Sequence, residues 1–410
     1  MENREFDVIV WGATGFTGQL VVEYMASKYG ADSDLKWAVA GRNAKKLANV
    51  VSKRAGGFAA DIPQLIANSD DPDSIRALVA RTKVICAVVG PYALYGEAVV
   101  AACAEQGTHY CDLTGEVQWM RKMIDSYQSQ AEASGATIVH TCGFDSIPSD
   151  MGAFYLQKKM QEAHGCHAST VKFRVGDTSG GVSGGTVASM MNMMEEGKVD
   201  PSILDLIADP YALNPQNMPR GEDGPDQSAA IYDADFKQWT APFVMAAINT
   251  RVVRRSNALM DYKYGSEFRY SESMLMGNGP GGYMKASLVA GMSGLLMLLT
   301  AFKPTRSLLA PLMPSPGEGP SEEAIEKGYF KIEFFGEASD DAAKKLSVTV
   351  TGDRDPGYGA TSKMLAESAV CLAKDSLDVA GGIWTPSTAM GEQLLDRLEN
   401  NAGMSFTVSD

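Results

Sequence analysis

A doubly wound α/β fold is what these 410 residues predict, a parallel sheet with helices on both faces, followed by a region of antiparallel strands. Three observations carry that expectation. Short apolar runs alternate with amphipathic stretches through roughly the first 150 residues, as in successive strand–helix units. A glycine-rich turn joins the first strand to the first helix. Farther on, residues 329–335 and 346–351 alternate apolar and polar side chains, the period of half-buried antiparallel strands.

Taken in order, residues 6–11 (FDVIVW) read as a strand buried on both faces. GATGFTG follows, then a helix with Leu20, Val21 and Tyr24 on one face. The spacing of Gly12, Gly15 and Gly18 is GxxGxxG rather than GxGxxG, but the physics is shared. The turn is tight, the backbone can approach a pyrophosphate, and the helix N-terminus attracts anions. Gly12, Thr14, Gly15, Phe16, Thr17 and Gly18 are therefore candidate cofactor residues. Residues 35–40 form a second strand, ending at Gly41-Arg42. An NAD site would place an acid about twenty residues beyond the glycines, for the ribose 2′-hydroxyl. Here Arg42 stands there, with Asn43, Lys45 and Lys46 behind it, and a guanidinium suits a 2′-phosphate. NADP is the cofactor expected. Residues 58–61 read as a third strand that brings Asp61 to the adenine end.

Asp71-Pro72 is an N-cap followed by proline at N1, opening a helix to Val79. Strand 84–89 runs into Gly90-Pro91-Tyr92, a turn at the edge where the nicotinamide half would sit, so Gly90 and Pro91 join the cofactor candidates. A helix 96–106 stops at Gly107, and strand 109–112 ends in Asp112. A helix 117–134 stops at Gly135, and strand 137–141 leads into CGFDSIPSD, residues 142–150. A domain boundary is expected here, with 1–150 binding the cofactor and 151–410 binding substrate.

Composition narrows the function. Lys+Arg 36 against Asp+Glu 50 gives a net charge of −14, which disfavours nucleic acid and simple electrostatic docking on anionic membranes. The six cysteines form no CxxC pair, and no metal site is expected. The opening MENREFDVIVWG enters a strand without a basic leader, so a cytoplasmic chain is expected. Residues 286–302 are apolar and uncharged between Lys285 and Lys303, at the lower edge of a membrane span, and peripheral membrane contact is expected there. Methionine is abundant, 22 in all, and suits walls that adapt to an irregular apolar ligand or plain core filling.

Hydride transfer needs a bound nicotinamide, a nearby substrate carbon and a proton source. Tyr92 is the first proton-donor candidate, with Asp112 and Asp145 at neighbouring strand ends to set its protonation or that of a water. A structural hydrogen bond at a strand end is the plainer use of each. Asp150 and Glu116 read as charges at helix starts, His109 and His140 as core groups. Arg251, Arg254 and Arg255 would share one face of a helix. They could meet a substrate carboxylate or phosphate, or pair with nearby acids. Residues 179–185 open a further helix as a Gly/Ser-rich turn, and 200–230 read as a long excursion.

GATGFTG, AGRN, VVGPY, YCDLTGE and CGFDSIPSD, in this order, resemble the saccharopine dehydrogenase-like oxidoreductases. SGGTVASM, INTRVVRRSNAL, PSPGEGPSEE, GDRDPGYGATSKMLAESAVCLA and GGIWTPSTAMGEQLLDRL are similar to the trans-acting enoyl reductase branch. The resemblance covers residues 6–398. It implies a Rossmann-type NADP-binding domain and an α+β domain on a mixed, largely antiparallel sheet, with C-terminal helices of about 359–400 packing back on the first. It implies reduction by NADPH of an activated carbon–carbon double bond in a lipid-like acyl substrate, carried by a partner. A homodimer is expected as well. Two other readings stand beside it: a catalytically weak NADP-binding scaffold on a membrane, and a carbon–nitrogen oxidoreductase of small amino acid imines.

Overall fold

Six consecutive buried residues, Phe6–Trp11, form strand β1 at the heart of the first sheet. In the computed structural model, which describes residues 4–30, 33–180, 184–301 and 319–409, β1 lies between two parallel neighbours. These are β2 (Trp37–Gly41) and a later strand, β4 (Thr82–Ala87), with β3 (Gln64–Ile66) at the edge. Beyond β4 come β5 (His109–Asp112) and β6 (Thr137–Val139), so the strand order reverses beside β1. In an open parallel sheet the crevice at that reversal, outside the carboxyl ends, receives the ligand.

Helices cover both faces. Helix α1 (Phe16–Lys28) buries Val21, Val22 and Met25, and α2 (Ala44–Arg54) buries Leu47, Val50 and Val51. Helix α3 (Pro72–Val79) is capped by Asp71, whose carboxylate accepts from the N–H groups of Asp73 and Ser74. The short α4 (Tyr92–Tyr95) leads to α5 (Glu97–Gln106), and α6 (Val117–Ser134) stops at Gly135, φ +82°. The third strand is not 58–61: Gly56–Phe58 is a single tight turn, and pairing with β2 begins at Gln64.

Helix α7 (Ile147–His164) then crosses to a second seven-stranded sheet. Strand β7 (Thr170–Ser179) is central to it. Helices α8 (Gly184–Val199) and α9 (Ser202–Ala208), hairpin β8 (Ile231–Asp233) and β9 (Gln238–Ala241), and helix α10 (Ala246–Leu259) follow. Next come β10 (Arg269–Leu275), helix α11 (Gly279–Ala301), β11 (Tyr329–Glu337) and β12 (Lys345–Gly352). Strand β13 (Gly382–Trp384) joins the first sheet beside β6, and β14 (Met404–Ser409) ends the second. Among the described residues only the β7–β10 pairing is parallel in the second sheet, and the other pairings are antiparallel. Along β11 the alternate residues Phe330, Ile332 and Phe334 are buried, and α7 lies over them. Gly152 permits that approach, because a Cβ there would meet the Phe334 ring at 2.3 Å.

The chain returns to the first sheet before it ends. Helix Thr361–Lys374 packs against β1, β4, β5 and α1. Its Glu367 is fully buried and accepts from Tyr24 (2.7 Å) and Tyr29 (2.6 Å), with Arg397 3.2 Å away. A buried carboxylate needs this many donors, since an unpaired one would be strongly destabilising. Among the described residues no helix is long and apolar enough to cross a membrane.

Candidate active site

The glycine turn is shaped by contacts no side chain would tolerate. Gly12 has φ +93°, and a Cβ there would lie 2.5 Å from Val89 Cγ2 and 2.9 Å from the Val88 carbonyl. At Gly18 a Cβ would meet the Gly12 carbonyl at 2.3 Å, so helix and loop touch backbone to backbone. Gly15 is the N-cap of α1, no side chain caps that helix, and no acid lies in its first turn. The N-terminal N–H groups and the helix dipole therefore face the crevice uncompensated, a fit for a pyrophosphate. Thr14 of this loop and Phe16 and Thr17 at the start of α1 are half-buried. The Val88 N–H donates to Trp11 O at 2.8 Å, which draws the turn carrying Gly90 and Pro91 up beside the glycines.

Arg42 is exposed at the carboxyl end of β2, and Lys45 and Lys46 are exposed just behind it. None of the three side chains has an acidic partner among the described residues, so their charge is available to a phosphate. Asn43 is committed locally: its side chain caps α2 by accepting from the Lys46 N–H at 2.9 Å. Asp61 is displaced. It precedes β3 and lines a hollow with Glu5, Lys36 and Trp37 at the amino edge of the sheet, opposite the crevice. The carboxyl end of β3, at Ala67 and Asn68, occupies the place foreseen for it.

Tyr92 is buried, and its hydroxyl donates to Ala87 O at 3.0 Å. Its ring packs on Trp119 at 5.4 Å. Burial, with the charges of Asp112 and Asp145 nearby, raises its pKa well above the usual phenol value. A phenol so held is a brace for the turn. Asp112 is fully buried and likewise occupied, binding His140 Nδ1 at 2.7 Å and the N–H groups of Thr114 and Thr141 at 3.1 Å each. Glu116 carries more than the charge of a helix start. Its two oxygens accept from the Tyr92 and Ala93 N–H groups, both at 2.9 Å, and from Ser189 of α8 at 2.8 Å.

Asp145 differs from these. It is half-buried in the loop after β6, against Gly115 and Gly143, and beyond its own backbone its carboxyl has no hydrogen-bond partner among the described residues. Burial, together with Asp112, lifts its pKa to about 7. A carboxyl titrating near neutrality beside a cofactor crevice can hold and release a proton.

The three arginines are framework groups, and the expectation of an anion site is corrected here. All are almost wholly buried on α10. Arg251 pairs with Asp226 and donates to Ile207 O. Arg254 pairs with Asp223 at 2.6 Å and donates to Tyr270 O at 2.9 Å. Arg255 donates to Leu213 O and to Ile383 O, and burial lowers its pKa to about 9. Together they fasten the 202–226 excursion to α10, and one reaches β13 of the first sheet. Residues 355–359 read from the sequence as a turn that opens a helix, and they form one; what sequence reading missed is that Tyr358 of this turn meets Phe16 edge-on at 5.2 Å above the glycine loop. Thr361 Oγ1 accepts from the Phe144 N–H at 2.9 Å, next to Asp145. Part of the Gly/Ser-rich turn, residues 181–183, lies outside the described residues.

Residues 8–139 match the saccharopine dehydrogenase NADP-binding domain. A Mycobacterium tuberculosis (H37Rv) protein provisionally named a trans-acting enoyl reductase is 40% identical over 416 residues, covering 98% of this chain and 97% of that protein. A trans-acting enoyl reductase of Mycobacterium ulcerans is 37% identical over 410 residues, with 96% of each covered. Among solved structures, the apo saccharopine dehydrogenase (L-Glu forming) of Saccharomyces cerevisiae has a similar fold. Its TM-score is 0.54 at 12% identity, over 98% of this chain and 99% of that one. The NADP-binding match agrees with the open helix end, the glycine cradle and the free basic group beyond β2. The chain belongs to the saccharopine dehydrogenase-like oxidoreductases, in the trans-acting enoyl reductase branch, with NADP as its cofactor.

Proposed function

We propose that this chain is a reductase that uses NADPH to saturate an activated carbon–carbon double bond in a hydrophobic, lipid-like acyl substrate presented by a carrier. The carrying observation is the lone carboxyl of Asp145, titrating near neutrality at the carboxyl edge that holds the cofactor cradle. NADPH, when bound, supplies the two electrons as hydride. Backbone N–H groups at Gly12–Gly18 and the start of α1 would hold the pyrophosphate, and Arg42 with Lys46 the 2′-phosphate. Gly90 and Pro91 would wall the nicotinamide. Neutral Asp145 then gives its proton to the substrate carbon next to the carbonyl and recovers one from solvent. Tyr92 and Asp112 act at one remove, bracing the 87–92 turn and His140. We place the cofactor part at 1–150 and the substrate part at 151–410.

The arrangement favours this over reduction of amino acid imines, because the three arginines that would clamp a small charged substrate are already engaged inside the protein. It favours an enzyme over an inert scaffold because Asp145 remains titratable. Peripheral membrane contact through 286–302 belongs to the same reading, and Phe302 lies outside the described residues.

The test is NADPH oxidation with 2-enoyl thioesters and with imines. Turnover of the thioesters is expected, and Asp145→Asn should lower kcat about a hundredfold with little change in KM. Wild-type kcat should fall as pH rises through about 7. Turnover of imines alone, or an Asp145→Asn enzyme with normal kcat, would overturn the proposal.

A further inference from the structure

The loop that carries Asp145 is held at its start by one part of the chain and around the carboxyl by another. Where it leaves the first sheet, Thr141 has φ +62°, a left-handed conformation unusual for threonine, and its N–H donates to Asp112 Oδ1 at 3.1 Å. The two residues flanking Asp145 are held by side chains from much later in the sequence. The Phe144 N–H donates to Thr361 Oγ1 at 2.9 Å. The Ser146 hydroxyl donates to Asn249 Oδ1 at 3.1 Å, and Asn249 Nδ2 donates to Glu272 Oε2 at 2.9 Å. Ser146, Asn249, Glu272 and Thr361 are all buried, so these bonds are shielded from solvent.

Thr361 is the tighter of the two supports. Its hydroxyl donates to Pro356 O at 2.8 Å, which commits the hydrogen and leaves a lone pair for the Phe144 N–H. A Cβ at Gly143 would lie 3.0 Å from Thr361 Cγ2 and 3.2 Å from Asp145 Oδ2, so the methyl and the carboxyl close over the same bare α-carbon. Pro356 belongs to the turn whose Tyr358 meets Phe16 above the glycine loop. One hydroxyl therefore joins the loop of Asp145 to the turn that overlies the cofactor cradle. A group that reacts must be held to within about 0.5 Å, and a misplacement of about 1 Å can lower the rate about a hundredfold. Neither Thr361 nor Asn249 is ionisable, so what they give the carboxyl is position. Among the described residues, the ionisable groups whose charge reaches it are Asp112 of β5 and Tyr92 of α4.

We propose that Thr361 is a positioning residue for Asp145: its hydroxyl, set by Pro356 O, pins Phe144 and so fixes where the carboxyl stands beside the cofactor cradle, with Asn249 pinning Ser146 as the second support. Its catalytic consequence rests on the reductase reading. Thr361→Val keeps the shape of the side chain and removes the hydroxyl. With a 2-enoyl thioester, its kcat should fall about tenfold or more, while KM and NADPH affinity stay within about twofold of wild type. Thr361→Ser keeps the hydroxyl and should recover most of that loss. A loosened loop admits water to the carboxyl and favours its charged form. The pH midpoint of kcat, about 7 in wild type, should therefore move down by about one unit in Thr361→Val and stay in Thr361→Ser. Infrared difference titration against Asp145→Asn reads the same carboxyl without turnover and cancels Asp150 and Glu272, which titrate nearby. It should show the same displacement, and Ser146→Ala, which frees the other support, should displace it the same way even where Thr361→Val does not fold. An unmoved midpoint with normal kcat in Thr361→Val would overturn the positioning role and leave the reductase reading in place. So would a Thr361→Ser enzyme as impaired as Thr361→Val, or NADPH affinity lost in step with kcat, since either would make the hydroxyl a general support of the fold. Absence of enoyl turnover, or normal kcat in Asp145→Asn, would remove the reductase reading. The infrared midpoint then decides the placement alone, upheld if Thr361→Val displaces it and overturned if not.

Discussion

Replacing Arg42 with alanine should separate the two nicotinamide cofactors. The guanidinium stands exposed at the end of β2 with no carboxylate partner among the described residues, so its removal strands no buried charge and leaves the fold intact. What is lost is its interaction with a 2′-phosphate. A hydrogen bond to a charged group contributes about 1.5–3 kcal/mol, and at an exposed site the lower end applies. About 2 kcal/mol is roughly a thirtyfold rise in Kd for NADPH. NADH has no 2′-phosphate and should bind as before. Lys45 and Lys46 stay in place and should keep a small residual preference, which added salt would erase because both are exposed. Titration of cofactor fluorescence at two salt concentrations measures all of this. Equal loss for both cofactors, or loss for neither, would refute the assignment of Arg42 to the phosphate.

Three further predictions address the scaffold. Gly18→Ala would set a Cβ 2.3 Å from the Gly12 carbonyl, and the loop must move to relieve it. Overpacking of this kind costs about 1–3 kcal/mol, so NADPH affinity should drop roughly tenfold or more while circular dichroism is unchanged. Arg254→Ala would leave Asp223 without its guanidinium partner, so stability should fall by about 3 kcal/mol, read as a lower urea midpoint. A raised KM with an unshifted midpoint would instead return Arg254 to substrate binding. Asp150 and Glu272 have pKa values raised by burial to about 6 and about 7. The folded protein therefore keeps protons that the unfolded chain has released above about pH 4, and stability is lost as pH rises through 7. The urea midpoint should fall between about pH 5 and pH 8, and Glu272→Gln should flatten that slope, so a midpoint that rose over this range would contradict the sign.

Local features were legible where a local cause decides structure. The capping carboxylate of Asp71, the left-handed stops at Gly107 and Gly135, and the strand of Phe6–Trp11 each follow from a few neighbouring residues. The third strand was misplaced because residues 58–61 and 64–66 are both short and weakly apolar, and only pairing with β2 distinguishes them. Strands β8, β9 and β13, of three or four residues each, were not seen for the same reason, and β10 was not seen because polar residues interrupt its apolar ones. β13 has three residues and exists because β6 offers it an edge, 245 positions earlier in the chain for each paired residue (Gly382 against Thr137).

The site divides along a similar line. The residues we propose for the cofactor are backbone-dominated, so a glycine pattern, with an arginine beyond β2, is enough to suggest them. The reacting groups are not so marked, because a tyrosine, an aspartate or an arginine offers the same chemistry wherever it stands. What decides its use is whether a partner distant in sequence has already taken it. Asp223, Asp226 and the carbonyls of Ile207 and Leu213 take the arginines. Ala87 O takes the Tyr92 hydroxyl, and His140 with two backbone N–H groups takes Asp112. Asp145 is left over, half-buried and, beyond its own backbone, without a hydrogen-bond partner among the described residues, and this is why we propose it as the group that passes a proton. On this proposal, function falls to the ionisable group that the packing does not use.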